Sequence, residues 1–360
     1  MNLARGCYWN NVEGSGLVRL TLIGTLFGIE LPPAINELYL GDGRVFKNPI
    51  VAGEDFGHSP GANITLYKDV GGQRQIDRDV VKYLVDIEVD SLSGALEGDT
   101  GGVAVSGSGS VVATGAAALS VFRGQARDEL ERAILPLRLG TKARIIMLPA
   151  KLQGGDRNAV SRSGLDQPMP EPYGESVIVK LTEQDCDFLT RLADEVSTAD
   201  LAPYQVPMEI FRDSFYKADA IERGLNLITC LESLFSQGPE SIRFKLAYRT
   251  SCILEFGSAN LYKTVGFIKE AYGHRSNLVH GARRTRNEAR QWFISNVLQL
   301  EDIVRRALFI IVELRRVGTD LIGENNIDRY IFEDVLTGKS VELQNKVMTV
   351  GTLFRFGRIL

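Results

Sequence analysis

Arg275 and His280 stand five positions apart in "YGHRSNLVHGARRTR", a stretch that also holds His274, so two of the chain's three histidines lie within seven residues. An imidazole can take or give a proton near neutral pH. A guanidinium presents a planar fork of donors that fits a phosphate and the negative charge developing on it. Ser276 lies four residues before His280, which places the two on one helix face. Gly281 follows His280 directly and ends the helix, leaving the imidazole at a terminus that a substrate can reach. Arg283, Arg284 and Arg286 continue the stretch as a local basic run, suited to a nucleic-acid backbone or to a solvated inter-helix loop.

The elements that must position these groups are helices. "TEQD" opens one at 182–196 as a capping box with Asp in place of Glu. Apolar periodicity predicts four more over 208–236, 241–256, 259–280 and 287–317, three of them followed at once by Gly and the first by Gly within two residues. In the last, Phe293, Val297, Leu300, Val304, Ala307, Ile311 and Leu314 alternate spacings of four and three, the seam of a helical bundle or coiled coil. Extending such seams in the other helices exposes three misfits. Leu225 and Ile228 lead to Glu232; Ile242 and Leu246 lead to Arg249; Leu261, Val265, Ile268 and Tyr272 lead to Arg275. A charge facing a core is costly unless paired. Two arrangements meet that demand: Glu232 between Arg249 and Arg275, or a cleft that lets water in. The cluster is then either a register-fixing ion network or an interior polar site.

Before residue 182 the grammar is different. Segments 17–23, 63–69, 80–89, 143–148 and 175–181 read as strands, β-branched and bounded by turn residues. "GDGR" at 41–44 has tight-turn chemistry. "ARDELERAIL" at 126–135 reads as a helix stopped by Pro136. The stretch 101–118, of Gly, Ser, Ala and Val, fits small-residue strands or a loop, and 154–173 reads as a linker. The expected fold class is α+β: a β-rich N-terminal domain (1–181), an all-α helical bundle (182–325), and a C-terminal helix with an apolar tail (326–360).

Composition narrows the function. Charged residues make up 24% and the formal net charge is −4, which argues against a surface that coats nucleic acid throughout and leaves room for a local patch. Four cysteines (Cys7, Cys186, Cys230, Cys252) form no close ligand pair, so neither a zinc ribbon nor a redox CxxC is expected. The start of the chain has no apolar run of signal-peptide type and no segment is apolar enough to span a bilayer, so a cytoplasmic protein without a membrane partner is the expectation. "GKS" at 338–340 lacks the earlier glycine of a phosphate loop, the Gly-rich stretch lacks dinucleotide spacing, and His58 beside Glu54 and Asp55 reads as a turn residue. No metal or other cofactor is called for.

"LITCLESLFSQGPESIRFKLAYRTSCILEF" followed by "LYKTVGFIKEAYGHRSNLVHGARR" resembles the Apea-like branch of the HEPN superfamily, over about 211–317. The shared features are the "LESLF" turn, the "IRFKLAYR" helix and the block Y-G-x-R-S-x-L-V-H-G. The resemblance implies a helical bundle, commonly a homodimer that juxtaposes two motifs in one cleft. It also implies a metal-independent endoribonuclease whose signature is Arg, a polar residue, then His. Arg275, Ser276 and His280 fall on those positions, with Asn277 able to share the polar role. Glu232 matches the acidic residue of the preceding helix, and Arg249, Arg283, Arg284 and Arg286 would meet RNA. The 2′-hydroxyl would attack the adjacent phosphate, leaving a 2′,3′-cyclic phosphate and a 5′-hydroxyl. The N-terminal half would then read a trigger, a partner or the substrate, as in antiphage defence or toxin proteins. The alternative is a non-catalytic HEPN module that binds RNA or a nucleotide, or dimerises and signals.

Overall fold

The computed structural model describes residues 17–27, 29–35, 37–40, 43–47, 67–70, 73–76, 81–90, 103–105, 111–113, 131–147, 151–153, 179–217, 219–236, 241–255, 258–281, 283–321 and 324–339. The chain forms two compact units: one of 1–137, 145–169 and 178–193, the other of 138–144, 170–177 and 194–360. His58, the linker at 154–173 and the apolar tail lie outside the described residues.

The first unit is organised on β1 (Leu17–Phe27), whose alternating Leu, Val, Ile and Thr suit a pleated surface. β2 (Ile29–Glu30), β3 (Glu37–Leu40), β4 (Gly43–Lys47), β5 (Tyr67–Val70), β6 (Gln73–Ile76) and β7 (Val81–Asp90) follow. β8 (Val103–Val105), β9 (Val111–Ala113), β10 (Ile146–Met147), β11 (Lys151–Gln153) and β12 (Val179–Lys180) complete the strands. β1 pairs antiparallel with β7 from Leu17 opposite Asp90 to Leu26 opposite Val81. The sheet runs β10-β1-β7-β4-β3, with β11 also on β1. β3 and β4 pair with Leu40 opposite Gly43, as the "GDGR" turn predicts. β8 and β9 form an antiparallel pair, which settles that part of 101–118 in favour of small-residue strands.

Residues 131–140 are helical (α1) and continue through Pro136, where the sequence predicts a stop. Leu137, Arg138 and Leu139 are buried directly after it, and burial offsets the hydrogen bond that proline removes. α2 (Glu183–Thr198) starts as expected: Thr182 N donates to Asp185 Oδ2 at 2.7 Å, and Asp185 N donates to Thr182 Oγ1 at 3.2 Å.

The second unit is helical: α3 (Gln205–Phe215), α4 (Ala220–Phe235), α5 (Ile242–Glu255), α6 (Leu261–His280), α7 (Arg283–Arg316) and α8 (Glu324–Tyr330), the last running on into a wider turn over Ile331–Val335. The single helix expected over 208–236 is therefore two. Asp219 caps the second of them by accepting from Ile221 N at 2.8 Å, and Glu222 follows three residues on, a start signal that competes with the continuous apolar period.

α4 packs on α3 and α7, and α6 packs on α5 and α7. The α7 seam is buried as its spacing requires, from Phe293 at 0% exposure to Leu314 at 4%. Its C-terminal half goes further, because Leu308, Phe309, Ile310 and Val312 are buried as well, so α7 becomes the central rod of the bundle. Gly318, at φ 80°, closes it: Thr319 N donates to Leu314 O at 2.8 Å and Gly318 N to Arg315 O at 3.0 Å, a Schellman cap. No helix among the described residues is long and apolar enough to cross a membrane.

Charges are fastened inside this unit. Glu301 on α7 is 2% exposed and is gripped by Arg223 of α4 and by Arg305 one turn along. Arg305 Nε also donates to Arg138 O at 2.8 Å, and Arg144 Nε donates to Phe215 O at 3.0 Å, capping the end of α3. Burial, then the nearby guanidiniums of Arg144 and Arg305, bring Arg223 down to about 9, so it stays charged at neutral pH.

Candidate functional site

Two of the three seam-breaking charges meet. Arg275 Nη2 lies 3.1 Å from Glu232 Oε2, with the glutamate side chain 15% exposed and the arginine side chain 31%. Glu232 stands on the last turn of α4 and Arg275 on the last turns of α6, so the pair joins the ends of two neighbouring helices. Burial raises the Glu232 carboxyl above its ordinary value and the Arg275 charge pulls the other way. The Arg275 guanidinium also lies over the Tyr272 ring, 5.7 Å from its centroid. It is held on two sides and keeps an open side.

Arg249 does not join them. Its Nε and Nη2 donate to Asp328 Oδ1 and Oδ2, both at 2.8 Å, and Nη1 donates to Phe235 O at 2.8 Å. At 1% exposure it clamps α8 and the end of α4, and it has no surface to offer RNA. The sequence-based role for Arg249 is corrected on that ground. Asp328 was not found in the sequence: the pair spans 79 residues and nothing in the local pattern around "NNIDRY" marks it.

The two histidines of the motif stretch separate. His274 is packed between α6 and α7, its ring stacked on Trp292 at 5.1 Å and its Nε2 3.6 Å from Glu270 Oε1. His280 is exposed at the end of α6, and Ser276 and Asn277 are half-buried before it. At 3.6 residues per turn, five residues carry His280 about 140° round the helix from Arg275 and about 7.5 Å along it. Arg275 therefore faces α4, while His280 shares a side of α6 with Ser276. On a regular helix the two residues therefore leave α6 on different sides.

Gly281 makes the corner after His280 by close approach. Its φ is −77°, and a Cβ there would sit 2.4 Å from Asn277 O and 2.5 Å from Thr285 Oγ1. α7 consequently begins at Arg283, so the basic run is the first turn of a helix and not the loop its sequence allows. Arg284 is 91% exposed and pairs with Glu288 at 3.2 Å, and Arg286 is exposed too. Cationic groups there oppose the helix dipole, an arrangement that a bound polyanion would relieve.

No family model, curated protein or solved structure matches the chain.

Proposed function

We propose that the chain is a metal-independent endoribonuclease of HEPN type, acting as a homodimer. The observation that carries this reading is the half-buried Glu232–Arg275 pair at 3.1 Å. Both charges interrupt apolar stripes, and both occupy positions that the resemblance assigns to an RNA-cutting site. Glu232 fixes the guanidinium, and the open side of Arg275 takes the scissile phosphate. His280, exposed at the helix end, takes the proton of the attacking 2′-hydroxyl or supplies one to the leaving 5′-oxygen. Ser276 and Asn277 orient the imidazole or a phosphate oxygen. Because Arg275 and His280 diverge on one α6, each cleft takes its arginine from one copy and its histidine from the other. Arg284 and Arg286, with Arg283 beside them, hold the flanking backbone. The strand-bearing N-terminal part reads a trigger or a partner, as fits a cytoplasmic antiphage or toxin protein.

The same divergence favours a second reading, a HEPN module that binds RNA without cutting it or relays a signal through dimerisation. Total RNA incubated in EDTA with wild type and with His280→Ala decides between them. The expected result is cleavage by wild type leaving 2′,3′-cyclic phosphate ends, reduced in the variant roughly 100- to 10,000-fold. Equal cleavage by the two proteins removes His280 from the mechanism. Binding with no cleavage by either leaves the second reading.

A further inference from the structure

Phe244 is a large apolar side chain on the first turns of α5, 57% exposed. Its ring lies parallel to that of Tyr248, one turn along, with centroids 5.7 Å apart and planes 5° from each other. Lys269 of α6 sets its Nζ 5.6 Å from the Phe244 ring centroid. Arg243, also exposed, donates from Nε to Lys269 O at 3.0 Å, and its Nη2 lies 3.6 Å from the point a Cβ on Gly273 would occupy. Two parallel, stacked rings and two cations thus share one outward surface of α5 and α6. Two acids on neighbouring turns have partners of their own: Glu270 lies 3.6 Å from His274, and Asp328 is held by Arg249.

This surface has a defined relation to the proposed site. Lys269, Gly273, Ser276 and His280 follow one another along α6 at spacings of four, three and four, so they form a single stripe. Lys269 and His280 differ by only about 20° round the helix and stand about 16 Å apart along it. Lys269, Tyr272 and Arg275 form a second, slanted ridge that leads to the Arg275 guanidinium.

We propose that Phe244 and Tyr248, flanked by Arg243 and Lys269, form a base-stacking platform for single-stranded RNA, continuous with His280 along one face of α6. Flat rings bind nucleobases whatever their identity, and adjacent cations track the backbone. The platform holds the strand away from the scissile phosphate and selects unpaired over duplex RNA, whose bases are already stacked on one another. The choice of ligand rests on the ribonuclease reading.

The test measures binding of a fluorescein-labelled 2′-O-methyl oligonucleotide of about 12 mixed bases to the full-length protein, with an abasic strand of equal length as comparator. The 2′-O-methyl group prevents cleavage. Phe244→Ala is expected to weaken binding of the base-bearing strand roughly 5- to 150-fold, to leave the abasic strand unaffected, and to be rescued by Phe244→Trp. Because Phe244 is exposed, the variant keeps its fold, which circular dichroism checks. Unchanged affinity in Phe244→Ala, an equal loss on the abasic strand, or no binding by wild type would each overturn the platform. EDTA-resistant cleavage of unmodified RNA is scored separately. Phe244-dependent binding without cleavage removes the nuclease and keeps the platform; cleavage with Phe244-independent binding does the reverse.

Discussion

Glu232 is a carboxylate kept partly out of water, and that fixes the sign of its contribution to stability. Its raised folded value means that the fold binds the proton more tightly than the unfolded chain does. The stability it contributes is fully present below the unfolded carboxylate value, about 4.3, and is lost as pH rises through the folded one. Glu232→Gln is therefore expected to be at least as stable as wild type at neutral pH, with the difference closing on acidification. RNA cleavage by the same variant should fall about 100-fold, because Arg275 loses the group that aims it. Urea unfolding at both pH values and initial cleavage rates measure the two effects. A variant clearly less stable at neutral pH would mean that the Arg275 attraction outweighs burial. Both residues were legible in the sequence because each breaks an apolar stripe, a signal that survives without coordinates. Their pairing was only half legible: the stripes nominated three charges, and the carboxylate on α8 that claims Arg249 lies in a segment with no marker of its own.

At the scale of elements, two glycines inside helices have opposite meanings. A Cβ on Gly224 of α4 would come 2.2 Å from Phe293 Cδ1, so this glycine lets α4 approach α7. A Cβ on Gly266 of α6 would meet nothing within 4 Å. Gly224→Ala is expected to cost about 1–3 kcal/mol by forcing the Phe293 ring aside. Gly266→Ala should add roughly 0.5–1 kcal/mol by restricting the unfolded chain. Denaturant midpoints of the two variants check the pair, and equal effects would refute the packing argument. The helices themselves were readable where period and stop signals agreed, as for α5 and α6. They were misread where a cap lay inside a continuous apolar pattern, at Asp219, and where burial carried α1 through Pro136. The first outcome was decided by a local cap that outweighs the apolar period, the second by contacts with neighbours distant in sequence such as Tyr216 and Arg305.

For the whole molecule, the divergence of Arg275 and His280 converts catalysis into a question of stoichiometry. If each cleft combines the arginine of one copy with the histidine of another, Arg275→Ala and His280→Ala proteins are each inactive alone. Mixed and allowed to exchange subunits, they form some dimers with one intact cleft. Random pairing restores about a quarter of wild-type cleavage, since half the dimers are mixed and each has one working cleft of two. No recovery after demonstrated exchange would place both groups in one chain's site and require α6 to unwind between them.

The grip of Arg223 of α4 on Glu301, with the bond from Arg305 to Arg138 O, constrains how α7 can take part in any such rearrangement. A helix greased only with leucine can slide one notch, about 5.4 Å, and find equivalent contacts. α7 cannot, because that step would pull Glu301 away from Arg223 of α4 and Arg305 Nε away from Arg138 O, leaving buried charges without their partners. Any rearrangement would therefore move it as a pinned strut and not as a piston: a push delivered at its buried C-terminal half would swing the end that carries Arg284 and Arg286, in a direction set by where the pin sits.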